Sequence, residues 1–177
     1  MKAVLVRHTR LADVSGLCYG RADVALADTF TDEARALLDV LPWKPREVWS
    51  SPTARCRVLA DVLSQGAPVR WEARLQELSF GEWEGRRWET FWGPESETWA
   101  LDPWTRRPPG GETALELWTR VAAMREQVRS LADDARVLIV THAGVIRMWR
   151  RLAEGGTPGA DVFSADASHG QVWPAAD

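Results

Sequence analysis

The residues able to do chemistry in this 177-residue chain fall in three short stretches, each closing an apolar run. "LVRHT" puts Arg7, His8 and Thr9 directly after Val4, Leu5 and Val6. "SSPTARC" puts Ser50, Ser51 and Arg55 after Val48 and Trp49. "THAG" puts Thr141, His142, Ala143 and Gly144 after the run Val137-Leu138-Ile139-Val140. Arginine presents a planar fork of donors that fits phosphate oxygens. Imidazole is a nucleophile when neutral and a donor when protonated. Two arginines and two histidines delivered to one place describe a site for a phosphoryl group, with no metal required. Singly, each stretch has a plainer reading: a solvated loop histidine, a helix-surface arginine like Arg57, a histidine filling a tight turn. The coincidence of all three at matched positions carries the phosphoryl reading.

Those positions are matched because of the elements around them. Residues 2–7 read as a buried strand, 47–50 and 69–71 as short strands, and 136–140 as the clearest strand in the chain. Ala34, Leu37, Leu38 and Leu41 repeat at helical spacing, which predicts a helix over 31–41, ended by Pro42 and Pro45. Ser51 as N-cap and Pro52 at the first helical position open a second helix, with Val58, Leu59, Val62 and Leu63 as its core face. Thr113 and Glu116 form a capping box ahead of Leu117, Val121, Met124, Val128 and Leu131, a strongly amphipathic helix. A further helix follows over 144–154, and 171–173 is a candidate last strand. Strands alternating with helices predict an α/β fold, a three-layer αβα sandwich on a mostly parallel sheet. Such sheets bind ligands at the carboxyl ends of their strands, beside helix N-termini that favour anions. The chain reads as one domain, 1–177, with no repeat and no linker.

Composition narrows the function. A net charge of −3 and a pI of about 5.7 leave no basic face for nucleic acid. The first apolar run stops at Arg7, too short for a secretory leader, and nothing approaches a membrane span. Cys18 and Cys56 make neither a disulfide framework nor a zinc pattern, so the expected compartment is the cytoplasm, with reduced thiols. His169 is a third histidine, but without HxH or HExxH spacing no metal site and no cofactor are expected. The stretch 79–112 breaks every period and crowds in Trp83, Trp88, Trp92, Trp99 and Trp104. Some of these pack a small subdomain; the functional expectation is a lid offering flat faces to a ring-bearing substrate. Arg106 and Arg107 could add charge at its entrance. Glu77, Glu82 and Glu84, in "LQELSFGEWEG", are rival acids for protonating a leaving group, and sequence chemistry does not rank them.

"LVRHT", "SSPTARCR", "LQELSFGEWEG" and "THAGVIR" stand in the order and spacing of the histidine phosphatase superfamily, which the chain resembles over nearly its whole length. "CYGRADVALA" and "PPGGET" are similar to the alpha-ribazole phosphatases within it. The resemblance implies a phosphoglycerate-mutase-like fold and a metal-independent phosphomonoesterase working through phosphohistidine on a small-molecule substrate, alpha-ribazole 5'-phosphate or cobalamin 5'-phosphate. A broad phosphatase, a mutase or a non-catalytic phospho-ligand module are the alternatives. It implies His8 as nucleophile, Arg7 and Arg55 as phosphate clamps, His142 as a donor to phosphoryl oxygens and Glu77 as the acid. Thr9, Tyr19, Gly20, Ala143 and Gly144 are implied to line the substrate site. The chain departs from the family at Arg10, where many relatives have Glu, and at Val14, where many have a phosphate-binding Asn. Three outcomes are open: a slower enzyme, Ser15 or Arg10 standing in, or a phosphate held differently.

Overall fold

The structure, a computed structural model, describes residues 1–175, with Ala160 and Asp161 described by backbone alone. In chain order the elements are β1 (Ala3–Arg7), β2 (Leu17–Cys18), α1 (Phe30–Val40), β3 (Glu47–Ser50), α2 (Ala54–Ser64) and β4 (Val69–Trp71). They continue as β5 (Arg86–Arg87), α3 (Pro94–Leu101), α4 (Ala114–Arg129), β6 (Val137–Thr141), α5 (Ala143–Ala153) and β7 (Val172–Pro174).

Five strands form the central sheet in the order β4-β3-β6-β1-β7. All its pairings are parallel except β1 with β7, which closes one edge antiparallel. The two central strands are apolar on both faces because both faces are covered. On β1, Ala3 and Leu5 enter one core with the α4 and α5 residues Leu117, Val121, Ile146 and Trp149. Val4 and Val6 enter the other, with Leu37 of α1 and Leu59 of α2. On β6, Val137 and Ile139 alternate with Leu138 and Val140 in the same way. The result is the three-layer sandwich expected, with helices on both faces of the sheet.

Element boundaries mostly fall within a residue of the sequence expectation, and α4 carries the Thr113–Glu116 capping box. Two expectations for α2 fail. The helix starts at Ala54 with Thr53 as its N-cap residue, so Ser51 and Pro52 lie outside it. Ser51 has other work: its hydroxyl meets His142 Nε2 at 2.8 Å. The core face of α2 is Cys56, Leu59, Ala60 and Leu63, whereas Val58 and Val62 are 41% and 39% exposed. Four residues of one stripe suffice for an eleven-residue helix, and a second pair of valines one position off that stripe turns to solvent.

The 79–112 stretch is not wholly irregular. It holds β5, which pairs with β2, and the short helix α3. Only Ser96 of α3 is buried, so no amphipathic stripe announced it.

Candidate active site

Three parallel strands bring the three stretches to one sheet edge. The His8 N–H donates to the Thr141 carbonyl at 2.9 Å, and the Ser51 N–H to Val140 at 3.0 Å. Strand pairing thus runs one residue past β1 and β3 and fixes the backbone beneath His8 and Ser51. His142 sits between β6 and the first turn of α5. The rings of His8 and His142 lie 5.3 Å apart between centroids.

His8 is 2% exposed and its Nδ1 lies 2.7 Å from the Thr9 carbonyl. A carbonyl only accepts, so Nδ1 carries the proton and Nε2 keeps a free lone pair. Burial pushes the His8 pKa well below its ordinary value; the Thr9 carbonyl opposes this, and Arg55, Arg7 and His169 add to it. Burial does the same to His142, helped by His8 and the nearby arginines. His142 is 1% exposed, and its Nε2 is also 3.3 Å from the Thr53 hydroxyl.

Arg55 is 1% exposed on the first turn of α2. Its guanidinium donates to the carbonyls of Ala22 and Gly20 and lies over the Tyr19 ring. Arg7 donates to the Ala167 carbonyl at 3.0 Å. Burial lowers the Arg7 pKa, but an arginine starts so high that it stays charged. The Nε atoms of Arg7 and Arg55 and the Thr9 hydroxyl are buried without a partner among the described residues. Three unpaired polar atoms in one small region fit an anion-binding site, since buried polar groups otherwise pair.

Of the three rival acids the structure puts Glu77 beside this region. Its Oε2 accepts the Gly144 N–H at the start of α5, at 3.0 Å, and its Oε1 accepts the Leu78 N–H at 3.0 Å. Its carbonyl is held by Arg21 at 2.9 Å and Arg120 at 3.0 Å. Glu112 bridges those two guanidiniums at 2.9 and 2.8 Å. Glu84 instead accepts the N–H groups of Phe80 and Arg21 and braces a turn, while Glu82 is exposed.

A cavity of about 330 Å³ opens against this edge. Arg7, Glu77, Tyr19, Gly20, Ala143 and Gly144 all line it. His8, Thr9, Arg55 and His142 are buried and do not line it; the Thr9 carbonyl holds His8 instead. Trp88 and Trp99 supply aromatic wall, joined by Phe80 and Phe163. Of the other tryptophans, Trp83 is buried in a ring cluster, Trp104 packs on Trp118 and Phe163, and Trp92 is half exposed. Arg106 and Arg107 lie outside the cavity, where Arg107 pairs with Glu116 at 2.9 Å. Arg10 and Ser15 do not line it either; Arg10 is turned to Glu33 at 3.7 Å.

Sequence reasoning missed Arg147 and Phe163, both cavity-lining. Arg147 was within reach, because i+3 and i+4 spacing puts it on the face of α5 that presents Gly144 and Ala143. Phe163 lies in an aperiodic tail and left no signal. Also unforeseen is His169, whose ring centroid lies 5.6 Å from that of His8. Among the described residues no group of three or more His, Cys, Asp or Glu side chains could hold a metal ion, and no helix is long and apolar enough to cross a membrane.

A neutral, oriented imidazole among buried guanidiniums, at the carboxyl edge of a parallel sheet, defines an enzyme that handles phosphoryl groups. Residues 3–169 match the histidine phosphatase superfamily (branch 1), and the chain belongs to that family. The adenosylcobalamin/alpha-ribazole phosphatase of Salmonella typhimurium is 29% identical over 155 residues, 84% of this chain and 77% of that protein. The alpha-ribazole phosphatase from Shigella flexneri shares the fold, with a TM-score of 0.87 at 23% identity over 97% of this chain and 88% of its own. A mycobacterial glucosyl-3-phosphoglycerate phosphatase gives a TM-score of 0.73 at 26% identity, over 92% of this chain and 82% of its own. The protein is accordingly a phosphatase on a phosphoglycerate-mutase-like fold.

Proposed function

We propose that the protein is a metal-independent phosphomonoesterase that passes its substrate's phosphoryl group through His8. The observation that carries this is the His8 ring: buried, neutral, and tied by Nδ1 to the Thr9 carbonyl so that Nε2 is the free nucleophile. In the first step the Nε2 lone pair attacks phosphorus and the bond to the ester oxygen breaks. Glu77 gives its proton to that leaving oxygen. Arg7, Arg55 and His142 meet the equatorial oxygens, where charge develops. In the second step the Glu77 carboxylate takes a proton from water, the water oxygen attacks phosphorus, the P–N bond breaks, and inorganic phosphate leaves.

The substrate in this reading is alpha-ribazole 5'-phosphate, or cobalamin 5'-phosphate, in assembly of the cobalamin nucleotide loop. Two things support it: the names of the Salmonella and Shigella relatives, and the Trp88, Trp99 and Phe163 walls, which suit a flat heteroaromatic base. Residues 79–112 serve as the lid that supplies two of these walls. The same reading keeps the enzyme in the cytoplasm, with Cys18 and Cys56 as thiols.

The test is a ³²P-labelled phosphomonoester quenched in mid-turnover. Wild type should carry acid-labile label, and His8→Ala should carry none and turn over at least ~1,000-fold more slowly. Equal rates for the two would overturn the mechanism. A panel of alpha-ribazole 5'-phosphate, 3-phosphoglycerate and a sugar phosphate separates chemistry from substrate. Preference for the sugar phosphate would remove the cobalamin assignment and leave the phosphohistidine intact.

A further inference from the structure

We infer that His169 is a third imidazole of the phosphoryl site, donating an N–H to an oxygen of the phosphoryl group carried by His8. This rests on the phosphohistidine reading above. The first observation is proximity: the His169 ring stands 5.6 Å from the His8 ring at an angle of 65°. An oxygen of a group bonded to the His8 ring comes within hydrogen-bond reach of a neighbour at that separation.

The second observation is that the segment bearing His169 is clamped to the site. Arg7 donates to the Ala167 carbonyl at 3.0 Å, Arg147 to Ala165 at 2.8 Å and Arg150 to Asp166 at 2.7 Å. The Asp166 carboxylate closes the turn by accepting the Ser168 N–H at 3.0 Å. Two of those three arginines line the substrate cavity. The position of His169 is therefore set by the same groups that build the pocket.

The third observation is the state of the ring. It is half-buried, yet makes no hydrogen bond within the described residues. The groups facing it are His8 and Arg7 at the end of β1, Arg10 just beyond, and Glu33 on α1. Burial first, then the charge of Arg7, bring its pKa down to about 4, so it is neutral at pH 7 with one N–H to donate. Like Arg10 and Ser15, His169 does not line the cavity, but its ring meets that of His8, whereas Arg10 is turned to Glu33 and Val14 has no side-chain donor.

Inorganic phosphate is the probe, measured as a competitive inhibitor of p-nitrophenyl phosphate turnover. Decay of the labelled phosphohistidine is followed beside it in single turnover. His169→Phe keeps a flat ring without a donor, and His169→Asn keeps a donor without the ring. Loss of one hydrogen bond to a charged group predicts phosphate inhibition about tenfold weaker in His169→Phe, with recovery in His169→Asn. Slower decay of the intermediate should follow the same order. If His169→Phe binds phosphate and releases its label like wild type, the inference is overturned, because packing alone then explains the ring. If wild type traps no label on His8, the phosphohistidine reading fails instead, and the inference fails with it.

Discussion

At the scale of single residues, the mechanism proposed above divides the chemistry between a nucleophile fixed by a carbonyl and an acid fixed by backbone donors. His8 is oriented by the Thr9 carbonyl, and Glu77 by the Gly144 and Leu78 N–H groups. The two roles separate experimentally because the acid serves each half-reaction differently. A p-nitrophenolate leaving group needs no proton, whereas an alkoxide does. Glu77→Gln should therefore release about one equivalent of p-nitrophenol per site in a fast burst and then stall, since water is no longer activated. On an alkyl phosphate the same variant should lose roughly 100-fold or more in its first step. Stopped-flow traces on the two esters check this. An equal fall on both, with no burst, would take the acid role from Glu77. Arg7, His8, Arg55 and His142 are legible in the sequence because the stretches that carry them follow apolar runs, whereas Arg147 and His169 do not stand out in this way. Glu77 was not separable from Glu82 and Glu84 by its own chemistry. What distinguishes it is which carboxylate meets the start of α5, and that contact spans 67 residues.

Elements explain why those side chains stay in place, and two glycines allow the prediction to be split. A Cβ on Gly144 would run into Glu77 Oε1, the far end of a side chain able to swing away. Gly144→Ala should thus fold and melt nearly as wild type while losing turnover, because the carboxylate is displaced from its donor. Gly81 has φ +54°, and a Cβ there would run into the backbone of Pro109, Gly110 and Gly111. Backbone cannot swing away, so Gly81→Ala should lower stability by about 1–3 kcal/mol, at the joint between the tryptophan-rich segment and the loop before α4. Thermal melts and steady-state rates measured on both variants check the pair, and loss of stability in Gly144→Ala would count against the local reading of its contact. The strands and long helices were readable because β1, β6 and α4 each bury a regular pattern. Helix α3 was not, since its contacts are made by one buried serine and by ring clusters such as Trp99 on Trp88. Val58 and Val62 show the opposite case: their apolar type suggests burial, but the buried stripe passes one residue away.

Across the whole molecule, keeping buried histidines neutral costs stability at acid pH. All three histidines have pKa values lowered in the folded state, His169 to about 4. An unfolded chain protonates its histidines as pH falls through about 6.5, while the folded chain does not. The unfolded state then binds more protons, so stability falls with falling pH below 6.5 and is flat from there up to about pH 8, beyond which unfolded thiols ionise while Cys18 and Cys56, raised to about 12 by burial, do not. Each fully buried histidine contributes up to about 1.4 kcal/mol per pH unit, with a smaller share from the half-exposed His169. The carboxylates do not blur this window. Glu72, held down to about 2 by its hydrogen bonds to Arg74, loses its contribution only below about pH 4.5, where unfolded glutamates begin to protonate. Urea unfolding in a phosphate-free buffer should therefore give a midpoint that drops between pH 6.5 and 5. The slope should be shallower in His142→Gln, which removes one buried imidazole without adding a charge. If the site binds phosphate as proposed, inorganic phosphate should raise the midpoint at both pH values. A midpoint that is flat or rises as pH falls from 6.5 to 5 would mean that the folded histidines are already ionised. His8 could not then be the neutral nucleophile from which the mechanism is built.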